Sequence, residues 1–488
     1  MLEKDVFNLT NSQKNIWDTE LFFSNSNLNN VGGYVFIQEK VDFKLLEKAL
    51  NLYVKKNDAL RLKINLIDGN PYQYLENFST FSIDIISLKN MNEVEQLNAK
   101  IVEKTFNLLN SNLFSFTIFK LPNGFGGFNA TLHHLISDAW NMSLLINEVM
   151  SLYSDLVCNR EINESFNPSY IEYISSQDEY LNSPRFKKDE EFWNSLFDKE
   201  PDISYISRKN KTELDTKARR KTFKLSNELY NDITSFCRTL NCSIYTFFMA
   251  IYSLYLSKIN NTSSPIIGTP VLNRSGFKEK HTSGMFISTV PFRVNINSDN
   301  NFSQFLKDVS VTQMSIFKHQ KYPYNRLLQD IKKKYNLSEN LYDLVLSYQN
   351  ARDDNKSSTI KYYSKWIETG RILDSLEIHF YDMDNTGSLD IYYDYQINKF
   401  NETDIEDIHS RIIEMTNLVL KQPNILLKDI KIVNKNEENL ILNKFNNTKF
   451  DYDKNKTILQ LFRENVKHTP LKPALVFENK SYTYSRNR

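Results

Sequence analysis

Cysteine is scarce in this chain: Cys158, Cys237 and Cys242 are the only three among 488 residues. So few thiols cannot build a disulfide framework in a protein of this length. Cys237 and Cys242 lie five residues apart, but no second Cys or His pair stands near them in the sequence to complete a zinc site. The cysteines therefore predict a reduced, cytoplasmic protein without a bound metal.

Excess charge and long apolar runs are also missing. Sixty basic residues against fifty-nine acidic ones leave a net charge of +1, which excludes nucleic-acid or membrane binding driven by bulk charge. Three of the first five residues are charged and no apolar segment follows them, so we expect no signal peptide. The most apolar run, 244–256, is shorter than the roughly 20 residues of a membrane span. It predicts a buried helix with Ser243 as its N-cap.

What the chain contains is a mixture of helical and strand patterns typical of a soluble α/β protein. Residues 43–60 have helical periodicity, and Asp68-Gly69 marks a hairpin. A polar stretch, 182–201, is interpreted as a connection between two halves. The second half is predicted to contain helices at 227–240, 244–258 and 402–421 and strands at 264–272, 284–294, 341–350, 375–383 and 388–395.

The only adjacent histidine pair, His133-His134, ends a predicted strand at 127–136 that leads towards a helix at 143–156. Side chains alternate along a strand, so the two imidazoles point to opposite faces and cannot converge on one metal ion. His134 shares its face with apolar residues. Asp138 follows four residues later, either as a helix cap or in an ion pair. The pair alone is compatible with either a structural role or proton transfer.

The stretch HHLISDAW (133–140) resembles the HHxxxDG motif of nonribosomal peptide synthetase condensation domains. Six further segments resemble motifs of that family in the family's order: LTNSQKNIW (9–17), NDALRLKI (57–64), IGTPVLNR (267–274), GMFISTVPFR (284–293), KHQKYPYNRLL (318–328) and YDLVLSYQN (342–350). A match to one of these motifs is weak evidence for the family, whereas seven matches in the family's order are specific to it. The tail, from FNNTKF onwards, is similar to the entry into an adenylation domain and stops before that domain's nucleotide-binding motifs, as in a piece of a longer protein.

The resemblance implies an α/β (α+β) fold of two chloramphenicol-acetyltransferase-like lobes, arranged as a V-shaped pseudo-dimer with the active site on a channel between them. Residues 1–180 would form the N-terminal lobe and 181–430 the C-terminal lobe. A linker, 431–455, would precede the truncated start of an adenylation domain at 456–488.

The resemblance also implies the site. His134 matches the family's catalytic histidine, with His133 and Asp138 as motif support and Arg274 as the ion-pair partner of Asp138. Ala139 stands where the family motif has its glycine. If the family needs glycine there for space, the extra methyl group narrows the approach of substrates to the active site. The residues expected to line the substrate channel are Ala139, Trp140, Ser288, Ser347, Gln349 and Asn350.

The implied reaction joins an acyl thioester to the amine of an aminoacyl group on a carrier protein. His134 would act as a general base or as a positioning group, and no cofactor would be bound by the domain itself. The substrates would arrive on carrier-protein phosphopantetheine or coenzyme A. The expected partners are an aminoacyl-loaded peptidyl carrier protein, an acyl-CoA or acyl carrier protein and the rest of the synthetase, with no nucleic acid and no membrane span.

The opening residues, 9–37, resemble starter condensation domains, which attach a fatty acyl chain to the first amino acid. The motif begins eight residues after Met1, so we expect the donor to come from another molecule. The alternatives are a peptide-bond-forming domain that uses a peptidyl carrier in trans, a non-catalytic docking platform, and an acyltransferase of the same superfamily acting on a free amine or alcohol. Relatives that epimerise carry the histidine pair too, but Trp140 directly after Ala139 favours condensation.

Overall fold

The computed structural model describes residues 5–163, 165–207, 215–349, 359–382, 388–433 and 435–486. The chain divides into two compact units, Met1–Ile432 and Val433–Arg488. No helix among the described residues has by itself the length and hydropathy to cross a membrane, and the one pair of helices that qualifies together is bent by 98°.

The helices and strands follow each other in an irregular alternation. The helices are α1 (Asn11–Phe22), α2 (Phe43–Lys56), α3 (Met91–Val102), α4 (Ala139–Val157), α5 (Tyr170–Leu181), α6 (Pro184–Leu196), α7 (Asn227–Thr239), α8 (Ile244–Asn260), α9 (Phe277–Lys280), α10 (Phe302–Lys318), α11 (Tyr324–Tyr335), α12 (Glu402–Lys421), α13 (Lys435–Asn439) and α14 (Ile458–His468). The strands are β1 (Val6–Asn8), β2 (Asn30–Ile37), β3 (Leu62–Ile67), β4 (Asn70–Leu75), β5 (Asp84–Ser87), β6 (Phe114–Lys120), β7 (Gly126–His133), β8 (Ala218–Lys224), β9 (Ile266–Val271), β10 (Ser288–Arg293), β11 (Leu344–Gln349), β12 (Tyr362–Trp366), β13 (Leu376–Tyr381), β14 (Asp390–Gln396), β15 (Pro473–Phe477) and β16 (Lys480–Thr483).

Two mixed sheets organise the first unit. The first sheet has the strand order β12-β2-β7-β6-β5, and the second sheet has the order β10-β9-β11-β13-β14-β8. The core beside the first sheet includes residues of α2 and α4, and a second core surrounds α8, α10 and α12. The fold is therefore the mixed α/β arrangement that the sequence predicts.

Local sequence signals explain several elements directly. The Ser243 hydroxyl accepts a hydrogen bond from the Thr246 N–H at 3.0 Å and begins the buried helix α8, as predicted. Asp68 and Gly69 have φ values of 50° and 79°, so both adopt the left-handed conformation that closes a two-residue hairpin between β3 and β4.

Two predicted boundaries are wrong, and the segment interpreted as a connection is partly helical. Residues 182–201, interpreted as a connection between the halves, contain α6, because Ser183 caps a helix that buries Phe186, Asp189 and Trp193 while its other charged residues lie at or near the surface. Helix α4 begins at Ala139, four residues before the predicted start, since Asp138 is its N-cap. The strand predicted at 127–136 ends at His133, and the chain then turns.

The strand β12 lies within the range predicted for the second lobe, yet it belongs to the first sheet. It pairs antiparallel with β2, with Trp366 opposite Gly33. A Cβ atom on Gly33 would lie 2.5 Å from the Lys365 carbonyl oxygen, so glycine permits this close approach. Just beyond the strand, Arg371 donates hydrogen bonds to Asn27 Oδ1 at 2.9 Å and to Thr216 Oγ1 at 2.8 Å. The polypeptide thus crosses from one half to the other and back.

The second unit contains α13, α14 and a two-stranded antiparallel sheet of β15 and β16. Helix α14 begins with a capping box, in which Thr457 and Gln460 bond each other's backbone N–H groups. Helix α14 and both strands lie within residues 456–488.

Candidate active site

His134 stands at the end of β7, where the strand turns towards α4. Its backbone N–H donates to the Asn29 carbonyl at 2.8 Å, and its Nδ1 lies 2.8 Å from the Ser137 carbonyl oxygen. A carbonyl only accepts, so Nδ1 carries the proton and Nε2 keeps a free lone pair. Burial lowers the pKa of His134 below its ordinary value, with a smaller contribution in the same direction from His133. The imidazole is therefore neutral at pH 7 and its Nε2 can accept a proton.

His133 is buried and has different neighbours. Its Nδ1 accepts a hydrogen bond from the Leu135 N–H at 3.2 Å, and its Nε2 lies 3.3 Å from Glu20 Oε1. The same Glu20 oxygen accepts from Asn29 Nδ2 at 2.6 Å. Because the Asn29 carbonyl binds the His134 N–H, this chain of contacts connects His133 to the backbone of His134. Among the described residues, no three His, Cys, Asp or Glu side chains are grouped so that they could hold a metal ion.

Asp138 is fully buried and makes both contacts considered for it, a helix cap and an ion pair. One oxygen, Oδ1, accepts from the Asn141 N–H at 2.8 Å and thereby caps α4. Both oxygens lie 3.2 Å from Arg274 Nη2. Oδ2 also accepts from the backbone N–H groups of Phe286 and Ile287 at 3.0 and 3.3 Å. Both oxygens of the Asp138 carboxylate are thus occupied by hydrogen-bond donors, so the group is not available to react with a substrate. Its contacts hold the turn after His134 against the 274–287 segment.

Arg274 is held on its other side by backbone carbonyls. Nη1 donates to the carbonyls of Glu279 and Thr282, both at 2.6 Å, and Nη2 donates to that of Gly284 at 3.1 Å. Its guanidinium carbon lies 3.8 Å from the centre of the Phe286 ring. The Asp138–Arg274 pair is thus fully desolvated, and hydrogen bonds to the carboxylate and to both Nη atoms of Arg274 offset part of the cost of burying the two charges.

A cavity of about 280 Å³ lies between the two sheets, and His134 and Ala139 line one side of it. The same side carries apolar groups, among them Leu28 and Val31. The second sheet supplies the opposite wall through β8, β11, β13 and β14, and the crossing segment closes a third side with Trp366–Ile372. The histidine thus faces a space enclosed by both halves of the first unit.

Of the predicted channel residues, Ala139 and Gln349 line this cavity. Ser347 is buried behind it, with its Oγ 2.6 Å from Nδ1 of the lining residue His379. Ser288 lines a separate, smaller cavity, and Trp140 donates its Nε1–H to the Lys280 carbonyl at 2.9 Å. Asn350 lies outside the described residues.

The charged wall of the cavity was missed by sequence reasoning. Glu377, His379 and Tyr381 alternate along β13 with buried apolar residues and face the cavity, next to Tyr392 and Asp394 of β14 and Arg220 of β8. Arg220 makes two hydrogen bonds of 2.6 Å to Asp394. The signal was present in the sequence as the period-two pattern LEIHFY, in which the polar members share one face.

The pKa values of two carboxyl groups in this wall, those of Glu377 and Asp394, are shifted in opposite directions. Burial raises the pKa of Glu377, and the neighbouring Asp374 and Asp394 raise it further, to about 8. Burial alone would also raise the pKa of Asp394, but hydrogen bonds from Arg220 and His379 outweigh it and hold that pKa below its ordinary value. Two adjacent acids thus carry different charges at neutral pH.

A family profile described as Condensation domain matches residues 3–442 of the chain. The chain belongs to the condensation-domain family. It is an acyltransferase that forms amide bonds, of the nonribosomal peptide synthetase type.

Two similar relatives of this condensation domain come from Bacillus subtilis (strain 168). Surfactin synthase subunit 1 is 31% identical over 490 residues, which cover 99% of this chain and 14% of the relative. One of the plipastatin synthase subunits is 29% identical over 99% of this chain and 19% of its own length. The chain therefore spans less than a fifth of the length of these two relatives.

Solved structures confirm the fold. The starter condensation domain of rhizomide synthetase, in a variant determined with C8-CoA, superposes with a TM-score of 0.78 at 18% identity over 87% of this chain and 97% of that one. The first condensation domain of the CDA synthetase gives a TM-score of 0.75 at 15% identity, over 88% and 99% of the two chains.

Proposed function

We propose that this domain joins an acyl thioester donor to the amine of an aminoacyl group carried on phosphopantetheine, with His134 as the catalytic residue. The observation that carries the proposal is the His134 imidazole at the cavity. Its Nδ1–H is fixed on the Ser137 carbonyl, and burial lowers its pKa, so Nε2 is available as an acceptor. The neutral ring suits either a hydrogen-bond acceptor or a base.

In the proposed reaction the amine nitrogen attacks the thioester carbon and forms the new C–N bond. The nitrogen of the tetrahedral species then gives a proton to His134 Nε2, the C–S bond breaks, and the thiolate takes that proton from His134 and leaves as a thiol. Amines attack thioesters readily, so holding the two substrates in line supplies much of the rate enhancement. We propose late proton transfer and positioning as the combined role of His134.

We further propose that the donor is a fatty acyl chain delivered by coenzyme A or an acyl carrier protein. The apolar residues Leu28, Val31 and Ile372 line the same cavity as His134 and favour a hydrocarbon chain there. The opening residues, 9–37, resemble starter domains, and the superposable domain of rhizomide synthetase was solved with C8-CoA. The alternative donors are a peptidyl or acyl carrier acting in trans.

We propose that residues 1–180 and 181–430 are the two lobes, with the crossing strand β12 as an addition to the first. We also propose that 431–455 is a linker and that 456–488 begins an adenylation domain. The match to surfactin synthase subunit 1 continues through this tail, since it covers 99% of the chain. The other partners would then be an acceptor carrier protein and the rest of a synthetase.

The test mixes the protein with a carrier protein loaded with a candidate amino acid and a panel of acyl-CoA thioesters. Intact-protein mass spectrometry measures acyl addition to the carrier. We expect transfer by the wild type and a loss of at least about a hundredfold in His134→Ala. The matched control is His281→Ala, which removes an exposed histidine whose ring contacts the Phe277 ring and carbonyl in its own helical turn.

Each other outcome selects a different function. Transfer from a peptidyl or acyl carrier, but from no acyl-CoA, would identify a carrier-dependent condensation domain. Acylation of free amino acids or alcohols without a carrier would indicate a small-molecule acyltransferase. Binding of the loaded carrier without transfer from any donor would indicate that the protein is a non-catalytic docking platform.

A further inference from the structure

The turn between α7 and α8 brings together two of the three cysteines of the chain. Just after α7 the chain passes through a left-handed residue, Asn241, whose φ is 52°. The Cys242 N–H donates to the Cys237 carbonyl at 3.0 Å, and the Asn241 N–H donates to the Arg238 carbonyl at 3.3 Å. These two hydrogen bonds form a Schellman motif, in which the side chains at the positions of Cys237 and Cys242 commonly contact each other.

The backbone of this motif holds the two cysteines within reach of a disulfide bond. The hydrogen bond of 3.0 Å between the Cys237 oxygen and the Cys242 nitrogen, added to standard backbone dimensions, limits the Cα–Cα separation to about 7 Å. Disulfides usually join Cα atoms about 4.4–6.8 Å apart. The side chains also point towards each other, since Cys242 Sγ lies 3.7 Å from the Cys237 carbonyl oxygen and the two thiols hydrogen-bond with each other. The geometry therefore suits a bond between the two sulfurs.

The two thiols differ in exposure and in acidity. Cys237 is 3% exposed and belongs to the second core, whereas Cys242 is half-buried in the turn. The hydrogen bond from Cys237 lowers the pKa of Cys242, and the same bond together with burial raises the pKa of Cys237. Cys242 is thus the sulfur that a dissolved oxidant can reach, with Cys237 held behind it as its partner.

We propose that Cys237 and Cys242 are a reversible disulfide site, free thiols under reducing conditions and bonded to each other after reaction with a low-molecular-weight disulfide, RSSR. The Cys242 thiolate attacks one sulfur of RSSR, the S–S bond of the oxidant breaks, and RS⁻ leaves. Cys237 then loses its proton and attacks the Cys242 sulfur, which forms the Cys237–Cys242 bond and releases the second RS⁻. The two cysteines are oxidised, RSSR is reduced, and the two cysteine protons end on two RSH.

The bond would join α7 to α8 at a corner of 98°. Helix α8 begins directly beyond Cys242, at its N-cap Ser243. In its first turn the Tyr245 hydroxyl donates to the Leu346 carbonyl of β11 and lies 2.6 Å from Thr269 Oγ1 of β9. The link would therefore fix the start of a helix that supports two strands of the second sheet. A closed loop of six residues restricts the unfolded chain, so we expect the melting temperature to rise by about 1–3 °C.

The test incubates the folded protein with oxidised glutathione, alkylates the remaining thiols, and digests the denatured protein with trypsin without reduction. Arg238 lies between the two cysteines, so trypsin places them on separate peptides, 225–238 and 239–258. Mass spectrometry detects these peptides as one species only where the two sulfurs are bonded. We expect the joined species in most molecules, and its complete loss after treatment with dithiothreitol.

Single substitutions resolve the order of the two steps. Cys237→Ser should retain glutathione on Cys242 as a mixed disulfide, whereas Cys242→Ser should leave the buried Cys237 largely unmodified. Cys158→Ser is the matched control, because it removes an exposed thiol of the first half and should give the wild-type fraction of joined peptides. Equal modification of Cys237 and Cys242 in the two variants would overturn Cys242 as the attacking thiol.

Two results for the wild type would overturn the site itself. One is glutathione on Cys242 without the joined peptides, which would show that Cys237 cannot reach the mixed disulfide in the folded protein. The other is a lower melting temperature for the bonded protein than for the reduced protein, which would show that the turn must distort to form the bond. Neither measurement depends on acyl transfer, so the site is tested separately from the proposed function.

Discussion

Asp138 and Arg274, 136 residues apart in the chain, form an ion pair of 3.2 Å in which neither side chain is exposed to solvent. The aspartate follows the first sheet and the arginine follows β9 of the second. The same carboxylate caps α4 and binds two backbone N–H groups of the 286–287 segment. One side chain therefore fixes the turn after His134 and joins the two sheets.

Asp138→Ala should damage stability as well as rate. It leaves the Arg274 guanidinium buried without its counter-ion, which costs about 3–5 kcal/mol in the free energy of unfolding. Denaturant unfolding of wild type and variant measures the loss, and Asp138→Asn, which can still cap α4, should lose less. A fully stable Asp138→Ala protein with only a lower rate constant would contradict a structural role for this residue.

Gly284→Ala should be far more harmful than Gly276→Ala, although the two glycines are eight residues apart. Gly284 has a φ of 141°, and a Cβ atom there would lie 2.2 Å from the Tyr170 ring. At Gly276 no atom lies within 4 Å of the added methyl group. We expect Gly284→Ala to lose about 1–3 kcal/mol from backbone strain alone, and Gly276→Ala to stay within about 0.5 kcal/mol of wild type. Thermal melting of both proteins checks the difference, and equal melting temperatures would refute it.

Glu20→Ala should slow the reaction although Glu20 does not line the cavity. Its carboxylate holds Asn29 and His133, and the Asn29 carbonyl holds the His134 backbone. Losing that support should lower kcat about tenfold through misplacement of the imidazole, with little change in KM. Glu20→Gln retains an acceptor oxygen and should be close to wild type. A rate loss of equal size in both variants would argue against positioning.

Glu377→Gln should stabilise the protein at alkaline pH. The folded-state pKa of Glu377 is raised to about 8, above its ordinary value of about 4.3. Between these values the folded protein binds more protons than the unfolded chain, so stability falls as pH rises through the window. The variant removes this loss and should be about 1–3 kcal/mol more stable than wild type at pH 9, with a much smaller difference at pH 4. Denaturant unfolding across pH measures it; a difference independent of pH would exclude an ionisable origin.

The sequence predicted those features that depend on neighbours in the chain. The Asp68-Gly69 hairpin and the Ser243 cap follow from local backbone chemistry, and both are present. The long-range ion pair between Asp138 and Arg274 was predicted from the resemblance to the family. No local sequence pattern could have predicted it. Helix α6 was overlooked because its many charged residues hid a buried face with Phe186 and Trp193.

The remaining features depend on pairing between distant strands. Trp366 lies opposite Gly33 only because β12 returns to the first sheet, and no periodicity in either segment encodes that partner. The wall around Glu377 likewise requires three strands in register. The raised pKa of its carboxyl depends on Asp374 and Asp394, whose proximity appears only in the folded protein.

The return of β12 to the first sheet means that the two halves of the domain are not separable pieces. A chain cut at 180/181 would leave β2 as a bare edge, with the backbone groups that bind Tyr362–Trp366 unpaired. Such an edge recruits other strands, so the isolated amino-terminal half is expected to self-associate. A synthetic peptide spanning 359–372 would then restore it by strand addition, making the natural segment an internal ligand of the half that precedes it.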